Sequence, residues 1–420
     1  MRFLIYFFLL FSLNVFFAQE TSISLDSCIQ WTKRNFPIYK QSELYMTQQA
    51  INVSAIREAW LPKLNLNASA TYQSEVVQFN IPGFTTNFPH DSYLGSLSME
   101  QLIFDGGIGK RQQSLETIST EIEIQKNMVE LYKTADRVNQ IYMAMLLAKE
   151  NISMLELFKD NLMQRSTSVA AAVTNGLMLQ TNLDEIEVEL LKTQQNLIEA
   201  TENLKGLCAS LSLMTGKEIT PQTTMSLMPA GGNSMVMSIM RPETKLLLMQ
   251  ESLLDERYKL ATNVALPKLY VGAVGNYGRP GPNFINQDLR FFGSGNISLR
   301  WNISTLYGLG REQRKFDLNK KMLEIQRDQL NKNIEISLST YTSQLSALDQ
   351  LMKLDALILT KKAEISAVSA AQLANGKITS TVYLIQLNDE MAARLNLKIH
   401  EIKKINAWSN YNITMGLINF

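Results

Sequence analysis

The sequence predicts an α+β membrane protein built from two tandem copies of one structural unit. Each copy pairs very long helices with two membrane-spanning β-strands. Three observations carry this expectation. Sequence landmarks recur at a spacing of about 200 residues. Two stretches of nearly 70 residues contain no proline. Four short segments alternate apolar and polar side chains, the period of a strand with two unlike faces.

The repetition is the firmest of the three. Leu61-Pro62-Lys63-Leu64 recurs as Leu266-Pro267-Lys268-Leu269, an offset of 205, and Pro37 and Pro242 keep the same offset. Gly107-Ile108-Gly109 is echoed by Gly308-Leu309-Gly310. Asn175-Gly176 is echoed by Asn375-Gly376, and Gly216 by Gly416, both at an offset of 200. Shared order across so many landmarks marks the corners of a duplicated unit. The expected organisation is a leader over 1–18, a first copy over 19–216, a linking segment over 217–240 and a second copy over 241–420.

The leader follows from Arg2, the apolar run Phe3 to Phe17 and Ala18 as a cleavage residue. It reads as a secretory signal, too short to span a bilayer as a helix. No later stretch reaches the ~18 apolar residues a spanning helix needs. The net charge of +1 leaves no global field to attract nucleic acid. Both signs of charge are spread evenly, as on long solvated helices. Cys28 and Cys208 make no disulfide framework; both sit in helical patterns. Lipidation of Cys28 is disfavoured, because Asp26 occupies a slot that normally takes a small apolar residue.

Within the first copy, Pro37 suits the first turn of a helix, where a missing N–H costs nothing. Pro62 stops that helix. Then Leu64, Leu66, Ala68, Ala70 and Tyr72 alternate with Asn65, Asn67, Ser69, Thr71 and Gln73. A breaker-rich loop over 80–92 follows. A second strand runs from Tyr93 to Phe104, with Tyr93, Gly95, Leu97 and Met99 on one face and Ser96, Ser98 and Glu100 on the other. Asp105-Gly106-Gly107 turns the chain into a helix that reaches Asn175, roughly 100 Å at ~1.5 Å per residue. Asn175-Gly176 closes it in a left-handed turn, and a return helix runs from Met178 to Gly216.

The second copy repeats the plan. Its third strand is expected over Leu269 to Tyr277. Its fourth pairs Ile297, Leu299, Trp301 and Ile303 against Asn296, Ser298, Arg300, Asn302 and Ser304. The long helix after Gly308 carries Leu330, Ile334, Leu338, Tyr341, Leu345, Leu348 and Met352 at steps of three and four, a packing stripe between helices.

Strands of this length and alternation fit a tilted membrane crossing, apolar face to lipid and polar face to a watery lumen. Arg300 on the lipid face at midplane would cost ~2–4 kcal/mol, so Arg300 and Glu100 are expected to face the lumen. Tyr72, Tyr93, Tyr277 and Trp301 are candidates for interfacial girdles. Four strands cannot close a barrel, and open edges are not tolerated in lipid. Spanning strands therefore require an oligomer, of ~8 strands from two copies or ~12 from three. The other reading of the same alternation is a half-buried sheet in a soluble periplasmic coiled-coil scaffold or adaptor.

The order of helix, LPKL break, two strands, Gly-Gly turn, long helix, Asn-Gly turn and return helix, given twice, resembles the TolC-like outer-membrane efflux protein family. Ser24-Leu25-Asp26-Ser27-Cys28-Ile29 and Asn35-Phe36-Pro37 look like the family's start. The resemblance implies a homotrimer in outer-membrane lipid, with a 12-stranded β-barrel above a helical α-barrel in the periplasm. It implies an equatorial belt near 217–240 and the C-terminus. It further implies an exit duct that docks a periplasmic adaptor and an inner-membrane pump of proton-driven or ABC type. Asn175, Gly176, Leu177, Asn375, Gly376 and Lys377 would then be the docking tips. Members often carry an aspartate gate six residues after the tip glycine. This chain has Asn182 and Val382 there, so no gate of that kind is expected, and Asp184 is not assigned the role.

Other signals are weaker. Gly107-x-Gly109 before Lys110-Arg111 lacks the full phosphate-loop pattern and reads as a strand-to-helix turn. Met225, Met228, Met235, Met237 and Met240 could bind a soft cation, but methionine also fills cores. Two histidines, His90 and His400, make no His-rich metal site, and no nucleophile–base set stands at a recognisable spacing. Acid pairs such as Asp184/Glu185 and Asp389/Glu390 read as solvated helix faces. No catalytic site, metal or cofactor is expected.

Overall fold

A computed structural model describes residues 22–77, 88–226, 239–283 and 285–417. The expected leader and the middle of the linking segment lie outside them. The elements run α1 (Leu25–Asn35), a 3₁₀ turn (Pro37–Lys40), α2 (Gln41–Glu58), β1 (Lys63–Tyr72), β2 (Asp91–Phe104), α3 (Ile108–Thr174), α4 (Gln180–Thr215), α5 (Pro242–Val264), β3 (Lys268–Arg279), β4 (Arg290–Arg300), a 3₁₀ turn (Ile303–Gly308), α6 (Leu309–Ala374) and α7 (Ser380–Met415). One order, helix, two strands, long helix, return helix, thus occurs twice.

The chain forms two compact units: Lys40–Val129 with Arg241–Asn333, and Met1–Tyr39 with Glu130–Met240 and Ile334–Phe420. Each draws on both halves of the sequence.

The first unit holds a four-stranded antiparallel sheet in the order β1-β2-β3-β4. The register puts Leu64, Leu66, Ala68 and Ala70 opposite Met99, Leu97, Gly95 and Tyr93. Across β2 these face Ala273, Gly275, Tyr277 and Arg279; across β3, Gly295, Gly293 and Phe291 face Ala273, Gly275 and Tyr277, and Ile297 and Leu299 face Val271 and Leu269. Side chains alternate along a strand, so these residues share one face, while Leu94, Tyr270, Val274 and Phe292 fall among the polar residues of the other. A bulge between Leu102 and Phe104 ends the regular β2–β3 pairing.

The turn from β2 into α3 is fixed by Asp105. Its carboxylate accepts from the backbone N–H of Gly107 at 2.7 Å and of Gly109 at 2.5 Å. The positive end of the helix is thereby filled by the chain's own acid. This is why Gly107-x-Gly109 forms a turn rather than an anion site. Across the unit, Arg111 on α3 meets Glu256 on α5 at 3.2 Å, and Lys320 on α6 meets Glu251 on α5 at 2.7 Å.

Among the described residues the second unit is helical apart from one isolated bridge. Its larger core gathers Ile23, Leu25, Cys28 and Ile29 with Val138, Tyr142, Met145, Leu204, Cys208, Leu211 and Ile402. Cys28 is fully buried in α1, and burial pushes its thiol up to about 12. It is a packed helix residue. Ile23 and Met225 form a parallel bridge, and the Tyr142 hydroxyl lies 2.9 Å from the Ile23 carbonyl and 2.8 Å from that of Ser226. The predicted stripe on α6 packs as expected: Ile334 and Leu348 are buried, and Leu330, Leu338, Tyr341, Leu345 and Met352 are half-buried.

The structure corrects two expectations. Pro37 opens a 3₁₀ turn rather than the α-helix, which starts at Gln41. β4 begins at Arg290 and ends at Arg300, so Trp301 and Ile303 lie beyond it. The alternation there continues past the pairing because the Trp301 indole donates to the Ala265 carbonyl at 2.9 Å, drawing the chain off the ladder. Of the methionine cluster, Met228, Met235 and Met237 lie outside the described residues; Met225 packs against the larger core.

Candidate sites at the helix tips and the polar sheet face

Both long helices end in the same cap. Gly176 has φ 72° and Gly376 has φ 66°. The N–H of Leu177 bonds to the Ala172 carbonyl and that of Gly176 to Val173, both at 2.9 Å. Lys377 to Gln372 and Gly376 to Leu373 repeat this at 2.9 Å. These are Schellman closures, which need a residue in the left-handed region. A Cβ added at either glycine would meet nothing within 4 Å, so the demand for glycine is conformational rather than steric. Asn175, Gly176, Leu177, Asn375, Gly376 and Lys377 are all exposed. Leu177 is 76% and Leu179 73% accessible, apolar side chains without a covering element in this chain.

The two turns stand side by side. Asn182 on α4 accepts from the backbone N–H of Ser380 at 3.0 Å, and the Thr381 hydroxyl donates to Glu185 at 2.7 Å. Beneath them a second core joins Phe158, Leu162 and Val169 to Ile186, Leu373, Tyr383, Leu384 and Leu387. Asn182 therefore caps the first turn of α7 from the neighbouring helix. The matching position, Val382, is exposed and caps nothing. The duplicated tips are alike in backbone and unlike in side chain.

The sheet presents the other candidate surface. Its apolar face is bare: Leu66 is 79%, Ile297 75% and Phe291 83% accessible. Tyr72, Tyr93, Tyr277 and Phe291 collect on this face at the loop end, Tyr277 and Phe291 with ring centroids 4.5 Å apart. Three of the four predicted girdle residues are among them; Trp301 lies past the strand end. Arg279 shares the apolar face at its rim, paired with Asp91 and 5.6 Å over the Tyr93 ring.

Asn65, Asn67, Ser69, Ser96, Ser98, Asn276 and Ser298 line the opposite face. Glu100 and Arg300 both lie there, as the alternation predicts, and the structure brings them together. Arg300 reaches from β4 across β3, its guanidinium 4.2 Å over the Tyr270 ring, and donates to both Glu100 oxygens on β2, one at 3.2 Å. That two-pronged pairing could not be read from a spacing of 200 residues. Gly272 on β3 stands opposite Glu100, and the Asn296 side chain occupies the space a Cβ there would take.

Sequence reasoning missed one internal site. Asn139 on α3 is fully buried and donates to Asn406 at 2.9 Å and Asn410 at 2.8 Å on α7. A lone asparagine in a long helix carries no periodic signal, although Asn406 and Asn410 stand one helical turn apart.

Residues 33–217 match the family model for outer membrane efflux proteins. The chain has the TolC-like outer membrane efflux fold. Solved structures agree over nearly its whole length. VceC of Vibrio cholerae aligns with TM-score 0.66 and 10% identity, covering 93% of this chain and 96% of that one. MtrE of Neisseria gonorrhoeae, an outer membrane channel in its open state, gives 0.66 and 12%, covering 93% and 88%. CmeC of Campylobacter jejuni, also an outer membrane channel, gives 0.63 and 13%, covering 93% and 85%. At such identities the likeness is one of fold. No curated protein matches the chain in sequence.

Proposed function

We propose that this protein is the outer-membrane exit duct of a tripartite efflux or secretion system in a Gram-negative bacterium. The observation that carries this is the sheet: one face of bare apolar side chains, one mostly polar face and, among the described residues, two unpaired edges, β1 and β4. In water such a face and such edges are liabilities. In lipid, closure with further copies removes the edges, and the apolar face meets hydrocarbon. Three chains close a barrel of ~12 strands, within the sizes such barrels adopt. The long helices extend into the periplasm, and residues 1–18 direct export and are removed.

The duct works passively. The periplasmic adaptor docks at the tips, on Asn175, Gly176, Leu177, Asn375, Gly376 and Lys377, and a proton-driven or ABC pump supplies the energy. Exposed Leu177 and Leu179 support this, because uncovered apolar side chains beside a rigid cap suit a docking partner. Arg300 and Glu100 line the lumen.

Fractionation tests the duct. The protein should stay with the outer membrane through high-salt washing and need detergent for release. Release by salt would instead establish the soluble scaffold. Crosslinkers placed at Leu177 and Lys377 in intact cells test the tips; capture of an adaptor together with its pump is expected, and recovery of self-trimers alone would sink the docking assignment.

A further inference from the structure

We infer that the strand lumen is an anion-favouring segment, formed by a band of unbalanced cations on the polar face of the sheet. The inference rests on the duct reading above and deepens it by naming the class of solute this part of the wall attracts.

The register assigns every charged strand residue to a face. On the polar face lie Lys63 of β1, Glu100 of β2, Lys268 of β3, and Arg290 and Arg300 of β4. Four cations thus stand against one carboxylate. Glu100 is already engaged by Arg300. Lys63 lies directly opposite Glu100, and Lys268 directly opposite Arg300; the two pairs sit in different cross-strand rows at the LPKL end of the sheet and are bridged by the reach of Arg300 to Glu100. Among the described residues neither lysine has a carboxylate within ion-pair distance. Arg290, toward the loop end, donates to the Asn283 carbonyl at 3.0 Å and, among the described residues, to no carboxylate. The apolar face shows the contrast: its cation, Arg279, is paired with Asp91 and neutralised.

The chain therefore cancels charge on the face toward lipid and leaves it uncancelled on the face toward water. A ring of cations in a confined aqueous wall raises the local concentration of anions and lowers that of cations. Repetition in each protomer turns the three unpaired side chains, Lys63, Lys268 and Arg290, into closed rings, with the Arg300–Glu100 pair between them. Between β1 and β2, residues 73–90 carry a single carboxylate, Glu75, and between β3 and β4, residues 280–289 carry only Asp288, both outside the strands. Carboxylate-bearing and phosphorylated solutes are the cargo class this wall eases along; cationic solutes meet a barrier.

The test is ion selectivity of the purified, detergent-extracted trimer in planar bilayers under a KCl gradient. The wild type is compared with Lys63→Gln/Lys268→Gln, which touches no ion pair, with the fourfold change that adds Arg290→Gln and Arg300→Gln, and with Arg279→Gln as a control on the other face. The expected result is a chloride-to-potassium permeability ratio that falls by about twofold or more in the double variant and further in the fourfold one. The control should leave the ratio unchanged. A conducting pore whose ratio is the same in wild type and both lumen variants would overturn the inference while leaving the duct intact. Absence of conductance in every protein, wild type included, would overturn the duct and this inference with it.

Discussion

Replacement of Asn139 tests how the helical unit is held in register. Its side chain is fully buried and spends its donors on Asn406 and Asn410. Among the described residues its own carbonyl oxygen has no protein partner. Asn139→Ala removes two hydrogen bonds, each worth about 0.5–1.5 kcal/mol net, so about 1–3 kcal/mol in all. The stranded partners are relieved in part, because Asn406 and Asn410 line an open groove of about 330 Å³ that water can enter. Asn139→Asp is harsher. It puts a desolvated carboxylate against two amide oxygens, with a cost of several kcal/mol. The assay is hydrogen–deuterium exchange on the assembled trimer in detergent, read in peptides covering 131–146 and 402–414, since exchange reports local opening without global melting. Opening of 1–3 kcal/mol corresponds to about 5- to 150-fold faster exchange for the alanine variant, and the aspartate variant should exceed it. Exchange within twofold of wild type in both segments for both variants would refute the reasoning.

Three further outcomes are expected. Gly278 sits where an added Cβ would lie 2.1 Å from the Tyr93 carbonyl oxygen, so Gly278→Val should abolish the heat-stable trimer band on semi-native gels, while Gly275→Ala, with nothing within 4 Å, should keep it. Burial raises the Cys28 thiol to about 12, and that of Cys208 in the same direction; at pH 8 iodoacetamide should leave both unmodified in the native trimer and alkylate both after denaturation, read by intact mass. Hydrogen bonds from Lys259 and then Arg111 hold the Glu256 carboxyl below its ordinary 4.5. A depressed folded value means stabilisation present above 4.5 and lost as pH falls through and below it. Melting temperatures measured from pH 7 down to about 3 should therefore drop more steeply in wild type than in Glu256→Gln, and parallel curves would count against the pairing.

The parts of the fold governed by local periodicity are open to reading from the chain alone. Alternation places β1, β2 and β3 to within two residues, and the proline-free stretches place α3 and α6 to within one residue at each end. Proline and glycine act as punctuation because their backbone limits are local. β4 departs from its expected end because that end is decided by a tertiary bond, Trp301 to Ala265, which leaves no mark on the alternation. The faces of Arg300 and Glu100 follow from period two, yet their pairing across three strands depends on register, which no single strand encodes. Asn182 is legible in the chain only as a missing aspartate; its role as a cap for α7 emerges once the two turns are brought side by side.

β1 with β2 is one hairpin, β3 with β4 another, and β2 joins them by pairing with β3. Within one polypeptide, then, the outgoing edge of one hairpin already accepts the incoming edge of its near-copy. The proposed ring needs no other rule: β4 of each protomer would accept β1 of the next in the same way. Half the chain, made alone, would carry the geometry for a sixfold wreath of identical hairpins. Fusing two halves keeps the wreath while letting alternate members diverge, and Asn182 beside Val382 is a place where that divergence has been written.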